Sequence, residues 1–296
     1  MKVAVVTPTF NRAYSLKKLY KSLVQQTNNN FVWYVIDDGS TDDTKNLIRG
    51  FEEEQKIKIN YFYQSNGGKH RALNYAAQQI EEELVFMVDS DDWITPDAIE
   101  SIINKYEEYK NNNGVAVLSF RKAYSDGTVS GPTFSKNEFI GNHIDYRVNK
   151  HIRGEHAEVI RTKCFKEYPF PNIDGEKFIS EGYLWMSVAK KYDTVYINKT
   201  IYLFEYLDNG LTKNIRKNRF KNPKGVVEVC KQGLNKRVAL VPRTKDMIRY
   251  IAYGKIAGYK MKELLDKNNC KLLFLAMTIP GLLYATKERI EEKYEK

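Results

Sequence analysis

Three carboxylates fall within four residues at VDSDDW (88–93), directly after an apolar run. Like charges this close raise one another's energy unless a cation or hydrogen-bond donors compensate. While the chain stays extended, Asp89 and Asp91 share one side. Two carboxylate oxygens, together with diphosphate oxygens, make a hard shell suited to Mg2+ or Mn2+. The plain alternative is a turn leading into a helix, since Asp favours turns and N-caps. A second acidic cluster, VIDDGSTDDT (35–44), ends another apolar run. An Asp at a strand end can accept hydrogen bonds from a base N–H or from ribose hydroxyls. There the plain alternative is a capped βα turn.

The flanking pattern predicts what positions these residues. Apolar runs at 2–8, 31–38, 59–65, 84–89 and 115–120 read as buried strands. Leu16, Leu19, Tyr20 and Leu23 mark one face of a helix between the first two. Leu47, Ile48 and Phe51 mark the next helix, and Leu73, Ala76, Ala77 and Ile80 a third. Thr95 and Pro96 read as the cap and first position of a fourth, with Ile99, Ile102, Ile103 and Tyr106 inward. This alternation predicts an α/β fold, a mostly parallel central sheet with helices on both faces. Ligands of such sheets bind beyond the carboxyl ends of the strands. Thr7–Arg12, Asp37–Asp38 and Asp89–Asp92 all fall there.

Four stretches recur in order: PTFNR (8–12), VIDDGSTD (35–42), NGGKHRALN (66–74) and VDSDDW (88–93). Together they resemble the family 2 glycosyltransferases of the GT-A fold, strongly over residues 1–120 and more weakly to about 212. The resemblance implies a metal-dependent, inverting transfer of a hexosyl or N-acetylhexosaminyl group from a UDP-sugar. The acceptor implied is a glycan or lipid-linked precursor of a surface polysaccharide. Pro8, Thr9 and Arg12 match the first donor loop. Asp38 matches the aspartate that recognises uracil, with Asp37 beside it. Lys69 and Arg71 match basic residues near the base and diphosphate. Asp89 and Asp91 match the DXD pair, Asp91 as the direct Mn2+ or Mg2+ ligand and Asp89 nearer the ribose, with Asp92 behind them. Thr212, Lys213 and Arg216 lie where relatives close a loop (205–218) over the diphosphate.

An inverting displacement needs a carboxylate to take the acceptor proton. In KFISEGYLWM (177–186), Glu181 matches that base. Gly182 stands where relatives often carry Asp, so Asp174 and Glu176 stay open as alternatives. A helix is expected over 180–192, and two short strands or one bent strand over 196–207. Residues 121–157 read as loop with short strands. His143, His151 and His156 fall there, without thiolates at zinc-finger spacing; one of them is a candidate to complete the donor metal shell.

The net charge of +10 is uneven. Residues 213–296 carry 21 Lys and Arg against 8 Asp and Glu; the preceding part is slightly acidic. Helices are expected near 222–234, 244–267 and 270–294, the last bent at Pro280. The domain division expected is 1–212 (a nucleotide-sugar half, 1–120, and an acceptor half, 121–212) followed by a basic helical region, 213–296. That region, with Tyr250, Tyr253, Tyr259 and the apolar stretch 272–285, suits helices lying on anionic lipid. A helical cap and an oligomer interface are its other readings. Three scattered cysteines fit a reducing, cytoplasmic setting, peripheral to the inner face of the cell membrane. Nucleic acid is not an expected partner. A nucleotidyltransferase would need a glycine-rich loop after the first strand, and PTFNRAYS has no glycine. A non-catalytic nucleotide- or glycan-binding protein is the remaining alternative; it leaves the clustered aspartates without a purpose.

Overall fold

In the computed structural model, which describes residues 1–134, 136–205 and 214–294, β1 (Val3–Thr9) is buried along its whole length. It lies between β2 (Phe31–Asp37) and β4 (Leu84–Met87), parallel to both, and β3 (Ile59–Tyr63) extends the parallel set beyond β2. The linking helices are α1 (Ala13–Val24), α2 (Thr44–Glu53) and α3 (Lys69–Gln79). α1 buries Leu16, Leu19, Tyr20 and Leu23, the face expected from the sequence. Tyr20 stacks on Phe51 of α2 at 3.8 Å between ring centroids, and both pack near Trp33 of β2. Continuous apolar strands covered on both faces are what a parallel sheet requires.

Beyond β4 the sheet becomes mixed. Its order is β3–β2–β1–β4–β8–β6–β9–β5, with β7 on β9. These strands are β5 (Trp93–Ile94), β6 (Val115–Tyr124), β7 (Glu138–Gly141), β8 (His156–Arg161) and β9 (Asp193–Phe204). β8 runs antiparallel to both β4 and β6. The loop expected over 121–157 thus contains β7, a single π-helical turn (Ile144–Val148) and the first residues of β8. β9 is one strand, and β-bulge-type register shifts interrupt its pairing with β6.

Helix α4 (Ala98–Tyr109) starts two residues later than the Pro96 start expected. The Thr95 N–H bonds the Ile201 carbonyl at 3.0 Å, so Thr95 is still in the extended segment and cannot cap. Its hydroxyl instead donates to Asp97, the residue in the N-cap position, at 2.7 Å. Short helix α5 (Thr162–Glu167) follows β8, and α6 (Gly182–Val188) precedes β9.

The chain divides into two compact units. The first comprises Met1–Asn142, Ile152–Pro169 and Val188–Glu205. The second comprises His143–His151, Phe170–Ser187 and the described residues of Tyr206–Lys296. The second is built mainly on α7 (Ile215–Lys221), α8 (Pro223–Gly233), α9 (Leu240–Ile256), α10 (Met261–Asp266) and α11 (Lys271–Tyr294). The helix expected over 244–267 is two helices. Gly258, at φ +86°, ends the first in the left-handed region that glycine tolerates. Tyr250 and Tyr253 are not interfacial: with Met247, Ile251, Leu264 and Phe274 they form this unit's core. Their hydroxyls reach the Leu264 carbonyl (2.9 Å) and the Glu288 carboxylate (3.2 Å), so their polar ends are satisfied inside. Among the described residues, no helix is long and apolar enough to cross a membrane.

Candidate donor site

Where β1 and β4 part, the sheet opens. Their ladder runs from Val3–Leu84 to Val6–Met87, and the Val88 N–H still reaches the Val6 carbonyl at 2.9 Å. Asp89 then turns its N–H to the Tyr202 hydroxyl at 3.0 Å. In a strand, the nitrogen of residue 8 faces the same neighbour as the carbonyl of residue 6. Pro8, which has no N–H, therefore sits where β4 has already left, and no ladder bond is lost.

Three loops are tied together at the carboxyl ends of β1, β2 and β3. Asn11 takes a left-handed conformation (φ 54°), and its N–H bonds Ser40 at 2.9 Å. Its side-chain oxygen accepts from the Thr41 N–H at 2.7 Å, and the Asp42 carboxylate accepts from the Ala13 N–H at 3.0 Å. Asp37 accepts from the Ser40 N–H and the Tyr61 hydroxyl, each at 2.7 Å. Asp38 is the hub. One oxygen accepts from Gln64 (2.7 Å) and the Gly67 N–H (2.8 Å); the other accepts from the Gly68 N–H (2.7 Å) and Asn66 (3.3 Å). This aspartate is 4% exposed, and both its oxygens are engaged by the loop after β3. Gly39 is required beside it. At φ +86° a side chain is strained, and a Cβ would lie 2.7 Å from the backbone nitrogen of Asn66.

The acidic cluster lies at the end of β4. Lys69, the first residue of α3, pairs with Asp89, and Arg12 approaches Asp91 at 3.9 Å. Asp92 accepts from the Tyr202 hydroxyl at 2.7 Å, and Lys122 lies over the Tyr202 ring at 3.7 Å. Burial tends to raise the Asp89 carboxyl, but Lys69 and Lys122 outweigh it and hold it below its usual range. Burial, then the Asp89 charge, raises Asp91. The same two causes push Asp92 up to about 7. Burial and the neighbouring Asp92 and Asp89 also drive the Tyr202 hydroxyl far up, so it remains a donor. Burial, and the Asp89 charge after it, thus disfavours the ionised forms of Asp91 and Asp92 although Arg12, Lys69 and Lys122 stand nearby. A divalent ion would favour the ionised forms again, and Asp89 and Asp91 offer hard oxygen donors. Among the described residues, no group of three or more His, Cys, Asp or Glu forms a self-sufficient metal site, so remaining ligands would have to come from a bound molecule. The Thr9 hydroxyl is buried without a hydrogen-bond partner, a second group suited to an incoming polar ligand.

Pro8, Thr9, Arg12, Asp37, Asp38, Lys69, Asp89 and Asp91 therefore all lie at this end of the sheet in the first unit, with Arg71 in the first turn of α3. Of the other singled-out residues, Asp92 and His156 lie in the first unit, and the rest belong to the second unit or fall outside the described residues. Glu181 precedes α6, its carbonyl accepting the Leu184 N–H at 2.9 Å. Glu176 is a buried helix cap, receiving the Lys224 and Gly225 N–H groups at the start of α8. Asp174 is exposed. Arg216, on α7, pairs with Glu288 (3.4 Å) and Glu291 (3.2 Å) of α11. Thr212 and Lys213 lie outside the described residues. His156 bonds Ser119 at 2.8 Å within the sheet, and burial holds His143 down at about 4. Asn11, Gln64, Lys122 and Tyr202 were not singled out from the sequence. Asn11 carried a signal, because Asn tolerates the left-handed region. Tyr202 and Lys122 reach the cluster from far along the chain and carried none.

A mixed α/β sheet with an acidic, cation-lined end at the carboxyl ends of its parallel strands has the architecture of the GT-A fold. The profile of the family Glycosyl transferase family 2 matches residues 4–168, more than half of the chain, and the protein belongs to that family. It is 27% identical over 289 residues to the GalNAc(5)-diNAcBac-PP-undecaprenol beta-1,3-glucosyltransferase of Campylobacter jejuni, spanning 94% of this chain and 89% of that one. It is 28% identical over 222 residues to the glycosyltransferase GlyA of Streptococcus pneumoniae, across 72% of this chain but 32% of that longer protein. Among solved structures, Staphylococcus aureus TarS 1–349 in complex with UDP-GlcNAc superposes with a TM-score of 0.65 at 18% identity, covering 99% of this chain and 92% of that one. A mannosyltransferase of Pyrobaculum calidifontis in complex with GDP-Man and Mn2+ superposes with a TM-score of 0.59 at 16% identity, covering 97% and 84%. At these identities the structural likeness speaks for the fold.

Proposed function

We propose that this glycosyltransferase moves a hexosyl or N-acetylhexosaminyl group, with inversion, from a UDP-sugar to a glycan or lipid-linked acceptor. The observation that carries this reading is the crowded, partly buried acidic cluster at the end of β4, with Arg12 and Lys69 beside it. The named ligands of TarS and the named acceptor of the Campylobacter enzyme support the choice of donor and acceptor class.

Asp91 and Asp89 would hold a Mn2+ or Mg2+ ion, which supplies charge neutralisation for the leaving diphosphate. Arg12 and Lys69 are the cations next to that position and bind the phosphate oxygens. On donor entry Lys69 would exchange part of its pairing with Asp89 for phosphate. The buried Thr9 hydroxyl meets the nucleotide, and Asp38 shapes the loop the nucleotide lies against. Tyr202 fixes Asp89 and Asp92 from behind, so the cluster needs no rearrangement during transfer. The acceptor oxygen attacks the anomeric carbon as its bond to the diphosphate oxygen breaks. Glu181 takes the acceptor proton, and UDP leaves with the bonding electrons. The domain reading retained is a donor- and acceptor-binding domain to about residue 212, followed by the helical region.

A thermal-shift titration tests the reading. UDP should raise the melting temperature only when Mn2+ is present, and Asp91→Ala should abolish the shift. An equal shift in Asp91→Ala would refute the metal assignment.

A further inference from the structure

Helix α11 has two faces of opposite character. Phe274, Gly281, Ala285, Glu288 and Glu292 are buried. Leu272 (85% exposed), Leu275 (62%), Ile279 (70%), Leu282 (37%), Leu283 (66%) and Ile290 (48%) are not. At 3.6 residues per turn these six fall within an arc of about 100°, opposite the buried residues, and run along roughly 27 Å of helix. Scattered single exposed leucines need no explanation; six apolar residues aligned on one face, interrupted by Thr286, do.

The charges around the stripe identify its occupant. Lys271 and Arg289 border one edge, Lys287 borders the other, and Lys293 extends the stripe at its C-terminal end; all four are exposed. The helix's described carboxylates are turned away. Glu288 and Glu292 are buried, and Glu291 pairs with Arg216 and Lys287. A second copy docked on this face would bring cation against cation. An anionic lipid surface would meet the apolar stripe with acyl chains and the basic edges with headgroups.

We propose that α11 lies flat on an anionic bilayer, its Leu272–Ile290 stripe set into the headgroup boundary. The inference uses no part of the donor-site reading. It goes beyond a generally basic C-terminal region in naming one helix and one face, and in removing Tyr250 and Tyr253 from the contact.

The test is co-sedimentation of the full chain with vesicles of phosphatidylcholine, alone or with about one-third phosphatidylglycerol. The protein should partition onto the anionic vesicles at least about tenfold more strongly than onto neutral ones. The triple variant Leu275→Ser, Ile279→Ser, Leu283→Ser should lose about tenfold or more of that binding while keeping its melting temperature, since all three side chains are exposed. The variant Lys271→Gln, Arg289→Gln, Lys293→Gln should lose the preference for anionic vesicles. Asp91→Ala should bind vesicles like the parent protein, which separates this test from that of the donor site. Unchanged binding in either multiple variant would overturn the proposal. So would a concentration-dependent dimer, seen by light scattering, that the serine variant dissolves.

Discussion

The end of the sheet that carries the aspartates and the helical unit that carries α11 handle charge in opposite ways. In the first, carboxylates are gathered and held by fixed donors: Asp38 by four hydrogen bonds, Asp37 by two, Asp92 by Tyr202. In the second, the acids of α11 are buried or paired, and its exposed charges are basic. The contrast shows how one chain can prepare one region for a small polyanion and its cation, and another for an extended surface. Gathered acid needs preorganised donors, because each unpaired buried group is expensive. Dispersed base needs only exposure.

The contrast is broken most forcefully at the hub. Asp38→Ala would leave the buried Gly67 N–H and the part-buried Gly68 N–H without their acceptor and should destabilise the first unit by about 3 kcal/mol or more, read from urea unfolding. If the loss is below about 1 kcal/mol, the loop is held by other means. Gly39→Ala should follow at about 2 kcal/mol, through its left-handed φ and its contact with Asn66. It should also weaken UDP binding, because it displaces the loop Asp38 holds.

A third test lies in the second unit. Burial pushes Asp246 up to about 6, against opposing pulls from Arg249 and Arg219. The folded state therefore holds this proton more tightly than the unfolded chain. The contribution is fully present below about pH 4 and is lost as pH rises through 6. Asp246→Asn should be more stable than the parent by about 2 kcal/mol at pH 8 and equal to it near pH 4. A gain that does not vary with pH would exclude the ionised carboxyl as its cause. The smallest expected effects separate two neighbouring acids. Glu176→Ala, which uncaps α8, should cost about 1–2 kcal/mol, and exposed Asp174→Ala under about 0.5 kcal/mol.

For the proposed base, Glu181→Gln should keep the metal-dependent UDP shift and lose sugar turnover by at least about a hundredfold, measured as UDP release. Retained turnover would transfer the role to another carboxylate.

The legible parts of the chain were those whose determinants are local. β1 to β4 are short apolar runs, and α1 and α3 show clear faces. PTFNR, VIDDGSTD and VDSDDW directly follow or end apolar strands, so the place of Arg12, Asp37 and Asp89 at that end of the sheet was readable. What escaped depended on partners far away. β7 and β8 are short, and pairing with β9, β4 and β6 defines them. Tyr202 enters the acidic cluster from a strand more than a hundred residues on. Glu176 looked like a free acid in a loop because the helix it caps begins nearly fifty residues later. Thr95 looked like a cap because nothing nearby revealed that its N–H belongs to Ile201.

Pro8 has a consequence for how a nucleotide would arrive. A strand ending in ordinary residues could zip further along its neighbour, and a visiting molecule would then have to pry the two apart. An imino acid at that spot has no N–H to offer, so one bond of any longer ladder is lost in advance. The parting of the first and fourth strands is thus favoured by the chain itself before any nucleotide arrives.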